Sequence, residues 1–481
     1  DPVSGSIGAI VAPFAKGPVD LPQFIENEDD LLNTFGRPYS TDKHYESWMV
    51  ASSYLAYGGT LRVSRADDFN IATGEGLKNA FVGTATSVRI KSTNHYEELQ
   101  YDENAITGVT VAAKNPGSWA NGIRVAIIDG KADQILTGSG LGSDVSVGFG
   151  FTYAVPPNTV VPVGTGGTTI LDGYFQGVIT EVGADSLGVK LVKHVSAAGT
   201  VTNADYEQNG KFALANTGSI GIATDGQSTP FATRSYTGES DWFEKQEIVL
   251  TSTDLKGNPV KLAWDSLANR PGTSEYAANR NGRFDELHVV VIDDKGLITG
   301  NAGSILEKHL NLSKAKDAEF SVGSTSYWRK YLYTNSRYIF GGSAPVGITT
   351  IAFSDNGVAQ NELDLDSGWD QNADGVNFAG SGVFTDSLAG GKNYKGKATL
   401  TEQNSLFSGA DDIISGLGKF DNTEEYEVDF ILMGSGNWDK DTAQGIAQKA
   451  IAVAETRQDA VAFISPYRGA FLSDNSVGTV T

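Results

Sequence analysis

Two α/β patterns at opposite ends of the chain constrain its fold more than any other feature. Residues 428–433 (VDFILM) form a near-continuous apolar run, as expected for a strand covered on both faces. Residues 441–455 then set Ala443, Ile446, Ala447, Ala450, Val453 and Ala454 on one side of a helix. Residues 460–464 (AVAFI) predict a second buried strand. Strand, helix, strand at this spacing is a βαβ crossover, hence a parallel pair.

The N-terminal end answers with the same alternation. Residues 7–11 read as a buried strand. Asn27 is positioned as the N-cap of a helix over 28–35, with acidic residues in its first turn and Gly36 at its end. A second helix is predicted over 42–57, where Tyr45, Trp48, Met49, Ser52 and Leu55 recur at helical spacing before Gly58-Gly59. Residues 60–64 (TLRVS) supply the next strand.

Between these ends the character changes. Residues 109–113 and 122–128 are β-type runs separated by Asn115-Pro116-Gly117. Residues 132–240 are rich in Gly, Thr and Val and contain only four basic residues. Within them, 178–182 and 187–192 predict a hairpin. Residues 287–292 (LHVVVI), 338–340 and 348–353 read as further strands, and the polar stretch 354–382 as a surface loop.

The predicted fold class is therefore α/β plus all-β and multidomain. A discontinuous α/β domain comes from 1–66 and 345–481. An intermediate α+β domain of mixed strands comes from 67–131 and 241–344, and an outer all-β domain, barrel or sandwich, from 132–240. Long insertions are tolerated because loop-closure cost grows only logarithmically with length.

Composition removes several function classes. The formal net charge of −22 opposes duplex nucleic-acid binding, which needs a basic face. With no cysteine there is no disulfide framework and no thiolate chemistry. No run approaches the roughly 18–20 apolar residues of a membrane helix.

Several segments resemble contractile bacteriophage tail sheath proteins of the T4-like myovirus type. They are Ala12 to Pro18 (APFAKGP), LLNTFGRP, YESWMVASSYLAYGGTLRVSRA, AAKNPGSWANGIRVAI (112–127), the Gly390-Gly391 turn within SLAGG, and ETRQDAVAFISP (455–466). The resemblance covers about the first 65 and the last 95 residues plus islands between, in the family's order. It implies a non-enzymatic subunit of the virion tail, assembled in the host cytoplasm into stacked hexameric rings around the tail tube. Contraction would then drive the tube through the host envelope. The implied partners are other sheath subunits, the tail tube protein, and baseplate and tail terminator proteins. Neither nucleic acid nor membrane insertion is implied, and no cofactor. Against the family pattern, an arm before Val3 and a C-terminal domain are missing. If these residues were the whole molecule, they would be expected not to build a sheath alone. The sheath of a phage-derived injection device fits the same residues.

Motifs that could carry chemistry are weak. Gly391 to Ala398 (GKNYKGKA) approaches a P-loop, but Ala398 lacks the hydroxyl that binds Mg²⁺, so a glycine turn with solvated lysines is the simpler reading. Asp370, Asn372, Asp374 and Gly375 match the first half of a calcium loop, yet position twelve is Ser381 rather than Glu. An Asx-rich turn is preferred there over a weak cation site. Residues 326–340 interleave aromatics with Arg329, Lys330 and Arg337, a pattern of stacking platforms that ordinary core packing explains equally. His44, His95, His194, His288 and His309 lack metal-pair spacing, and no G-x-S-x-G elbow occurs. No catalytic residue and no metal site is predicted. The alternative function is a surface adhesin or carbohydrate-binding β-rich module. A nucleotide-driven motor would rest on Gly391 to Ala398 alone.

Overall fold

The structure, a computed structural model, describes residues 6–38, 45–68, 76–163, 167–206, 213–223, 230–345, 368–394, 408–436 and 438–467. It is mixed α/β, with many strands and, among the described residues, seven α-helices. The chain divides into two compact units. One comprises residues up to Ile123, Arg337–Ser343 and residues from Ser387 onward. The other comprises Arg124–Ser336 and Ala344–Asp386.

The first unit is organised by a five-stranded sheet, ordered Gln23–Ile25, Thr60–Arg65, Ile7–Ala12, Phe430–Leu432, Val461–Phe463. Ile7–Ala12 runs parallel to Thr60–Arg65 on one side and to Phe430–Leu432 on the other, with Gly8 opposite both Leu61 and Phe430. Both chain ends thus build one sheet. One face packs Ile10, Ala12, Leu61 and Val63 against the helices Glu28–Phe35 and Tyr45–Ala56 through Leu31, Phe35, Trp48 and Leu55. The other packs Ala9, Val11 and Ile431 against Ala410–Gly418 and Lys440–Arg457.

Local chemistry fixes these helices. The Asn27 side chain accepts from the Asp30 amide, and Gly36 ends that helix at φ 77°. Asp439 caps Lys440–Arg457 by accepting from the Thr442 amide. Gly416 lets its helix lie directly on the sheet, because a Cβ there would stand 2.5 Å from Val11 Cγ1. The same unit holds a three-stranded antiparallel sheet of Phe81–Gly83, Val109–Ala113 and Ile339–Gly341.

In the second unit an eight-stranded antiparallel sheet curls into a half-barrel. Its centre is the hairpin Tyr174–Gly183 and Ser186–Val195, flanked by Gly150–Ala154 and Gln134–Thr137. Phe151, Phe175, Val189, Leu191, Ile220 and Tyr236 fill its core. A four-stranded sheet of Ser304–Ser313, Glu286–Asp293, Ile123–Asp129 and Val383–Ser387 completes the unit's framework.

Two local expectations are corrected. Val461–Phe463 is a strand, but an edge strand rather than a buried one: Val461 is 57% and Phe463 54% exposed. The described part of the polar stretch, 368–382, is not a surface loop throughout. Trp369, Ala373, Phe378 and Ala379 are buried, with Phe378 and Ala373 packed on Ala277, Ala315 and Ala318. The strand expected over 348–353 lies outside the described residues.

Candidate functional site

A polar constellation of the first unit is centred on Arg65, at the end of Thr60–Arg65 and wholly buried. Its Nε donates to Phe14 O (2.9 Å) and to Tyr394 Oη (3.2 Å). Nη1 donates to Gly17 O (2.9 Å) and Pro116 O (2.7 Å), and Nη2 reaches Ala15 O at 3.4 Å. The charge is spread over backbone carbonyls, which satisfy a planar guanidinium without a carboxylate. Tyr394 Oη accepts from the Phe14 amide at 3.1 Å, and burial pushes the phenol up to about 12. Beside this cluster Lys16 Nζ donates to Asn33 O and lies 5.1 Å from the Trp119 ring centroid and 5.4 Å from that of Tyr338. Burial, aided by Arg337, lowers the Lys16 ammonium to about 8. The Arg65 cluster is a positioning network, its guanidinium and the Tyr394 phenol bonded to backbone and to each other.

The other prominent feature is an apolar surface on the five-stranded sheet. Among the described residues no strand pairs with the outer edge of Val461–Phe463. An uncovered edge of this kind is a template for further strand pairing. The rings of Phe463 and Phe430 stand 5.4 Å apart, and those of Phe430 and Tyr54 6.3 Å, so aromatic surface runs inward from the edge. Next to it a groove of about 590 Å³ is lined by Tyr45, Met49, Tyr54, Tyr57 and Leu432. Met49 is 47% and Tyr57 94% exposed. Parallel sheets are normally covered on both faces, so this surface has the character of a contact site.

The residues singled out in the sequence fall elsewhere. Asp370 adopts φ 71°, and its carboxylate accepts from Tyr327 Oη (2.5 Å) and Trp328 Nε1 (3.3 Å), 3.6 Å from Arg329. Asn372 and Asp374 are exposed on the same turn. Among the described residues no group of three or more His, Asp or Glu side chains is placed to hold a metal ion. Of the P-loop-like stretch, Gly391 pairs with Asn121 and Tyr394 is buried, while 395–398 lie outside the described residues, as does His44. Of the aromatics of 326–340, Tyr327, Trp328 and Phe340 are buried, and Tyr331, Tyr333 and Tyr338 are half-buried. His194 and His288 bond the carbonyls of Asp172 and Asn269, His95 accepts from the Lys91 amide, and His309 pairs with Glu307. Arg65 and Tyr394 went unnoticed in the sequence, and no spacing rule links residues so distant.

No family model matches the chain. Over 348 residues, 69% of its length, it is 24% identical to the tail sheath protein of Salmonella phage ViI, covering 45% of that protein. Over 72 residues, 15% of its length, it is 40% identical to the tail sheath protein of Enterobacteria phage T4, covering 11% of it. Its relatives are phage tail sheath proteins. Their names describe a structural component and not an enzyme. The chain spans less than half the length of these curated relatives. A sheath tail protein from Listeria innocua of known structure is 13% identical, with 50% of this chain and 35% of that one covered. The TM-score between the two is 0.17.

Parts of the sheath-like segments that fall in the first unit are bonded to one another. Arg65, within one of them, clamps the carbonyls of the Ala12 to Pro18 segment. Asn121, from the 112–127 island, exchanges two 2.9 Å hydrogen bonds with the backbone of Gly391 in the Gly-Gly turn. Asn393 accepts from the Ser118 amide at 3.0 Å. These stretches are thus packed against one another within the first unit.

Proposed function

We propose that this chain is a structural subunit of a viral contractile tail sheath, located in the virion tail and without enzymatic activity. In this reading it forms stacked hexameric rings around the tail tube, meets baseplate and tail terminator proteins at the two ends, and drives the tube through the host envelope on contraction. The observation that carries the reading is the similarity, across 69% of the chain, to a protein named tail sheath protein. The uncovered edge and groove beside Val461–Phe463 support it, since a lattice needs apolar contact surface on each subunit.

The division into a core from 1–66 and 345–481, an intermediate part from 67–131 and 241–344, and an outer all-β part from 132–240 belongs to the same proposal. The half-barrel core, from Leu136 to Tyr236, motivates the last part. Residues 132–240 expressed alone should give a cooperative unfolding transition, and a featureless melt would refute that boundary.

Negative-stain electron microscopy of the protein with its natural flanking sequence tests the assembly reading. Hollow tubes of stacked six-fold rings are expected. Monodisperse single particles at every protein and salt concentration would overturn it.

A further inference from the structure

The second unit holds a polar cavity to which the sheath role gives no task. It measures about 470 Å³, within the roughly 300–1,000 Å³ typical of small-molecule sites. Lys190, Asp205 and Tyr206 line it from the half-barrel strands and the segment that follows them. Arg270, Phe284 and Glu286 line it from the opposite side.

Most of its charges are already matched. Arg270 pairs with Asp241, and Asp205 with Arg283. Lys190 and Glu286 are only half satisfied. Lys190 Nζ donates to Gly130 O at 2.6 Å and lies 4.0 Å from the Phe284 ring centroid, but its carboxylate neighbour Asp133 is 3.7 Å away. Its side chain is 97% buried, the complement of 3% exposure. Glu286 accepts from the Gly272 amide at 2.9 Å and has no cationic partner among the described residues. Burial lowers the Lys190 ammonium against the pull of Asp133, and burial raises the Glu286 carboxyl against the Gly272 hydrogen bond. Each group would be better served by one more hydrogen-bond partner, an acceptor for Lys190 and a donor for Glu286.

The lining selects the kind of ligand. Asp133, Asp205 and Glu286 outnumber Lys190 and Arg270 in a chain of net charge −22, which disfavours an anion. A metal ion lacks converging ligands among the described residues. A simple cation meets Lys190. Neutral hydroxyl groups both accept and donate, so a polyhydroxylated ligand such as a sugar suits an under-satisfied donor and an under-satisfied acceptor lining one cavity. We infer that this cavity binds a pyranose ring, a neutral monosaccharide unit with one hydroxyl accepting from Lys190 and another donating to Glu286. This inference does not depend on the sheath reading.

Saturation-transfer NMR on the whole chain tests it. The probes are methyl α-glucopyranoside, methyl α-galactopyranoside and methyl N-acetyl-β-glucosaminide, with maltose, melibiose and chitobiose beside them. Transfer to at least one probe is expected. Transfer to monosaccharides alone identifies a free sugar, and transfer to disaccharides as well identifies the end of a glycan. Glu286→Gln should weaken binding about tenfold. Gly272→Leu fills the cavity, since a Cβ at Gly272 would stand 3.8 Å from Glu286 Oε2 with no second atom within 4 Å, and should abolish transfer. Absence of transfer to all six probes overturns the inference. So does transfer that survives Gly272→Leu in a folded protein.

Discussion

Arg65 Nε lies 3.2 Å from Tyr394 Oη, joining residues 329 positions apart in a site closed to solvent. Both groups also bond Phe14, so the pair ties the first strands to a segment near the other end of the chain. Arg65→Met would strand several carbonyls at once and should destabilise the first unit by about 3 kcal/mol; Tyr394→Phe should cost about 1–2 kcal/mol. Urea unfolding measures both, and an unchanged midpoint for Arg65→Met would remove the guanidinium from its central role.

Lys16 gives this region a pH dependence of definite sign. Its folded pKa, about 8, is below the ordinary 10.5, so the unfolded chain binds more protons between those values. The Lys16 contribution to stability therefore rises as pH increases from about 8 to 10.5 and is absent below that window. Lys16→Met should flatten this part of the stability profile relative to the parent chain. Parallel profiles across the window would contradict the assignment.

In the second unit Lys314 and Asp129 form an ion pair at 3.0 Å with both side chains 0% exposed. Lys314 also donates to Phe284 O and Ala379 O, and Asp129 accepts from the Ser381 and Gly382 amides. Removing the cation alone leaves a buried carboxylate uncompensated. Lys314→Met should cost about 3–5 kcal/mol by chemical denaturation. A loss below about 1 kcal/mol, the worth of a surface pair, would mean that water reaches the site.

Phe463 offers a separation of folding from assembly. It is 54% exposed on the edge strand and loses chiefly the pairing of its ring with Phe430, so Phe463→Asp should cost the subunit about 1–2 kcal/mol and leave it folded. If the edge surface is a subunit contact, the same substitution should suppress tube formation under the microscope. Normal tubes from Phe463→Asp would place the contacts elsewhere.

The sequence was most legible where local chemistry decides the outcome. Asn27, the acidic turn after it and Gly36 specify a helix without outside help, and the structure has it at Glu28–Phe35. The apolar run at 428–433 contains the strand Phe430–Leu432. Burial was less legible, because it depends on what lies next door. AVAFI reads as a core strand, yet its position at the sheet edge leaves Val461 and Phe463 in solvent. Conversely the polarity of 368–382 concealed Trp369 and Phe378, whose pockets are built by residues far away in sequence. Arg65 directly follows the predicted strand 60–64, and its partners emerge only from the tertiary fold. The half-satisfied pair Lys190 and Glu286 is equally non-local.

The sheet assembled from both chain ends sets a timetable for synthesis. The Ile7 amide donates to the Asp429 carboxylate across 422 positions, and Ile7–Ala12 cannot gain its second parallel neighbour until Phe430–Leu432 has been made. At about 5–20 residues per second that interval is roughly 20–80 seconds on the ribosome. Throughout it Thr60–Arg65 can already protect one side of the first strand, while the other side waits open. Completion of the sheet is therefore a late event, and a nascent chain halted before residue 430 exposes an edge that the finished protein keeps covered.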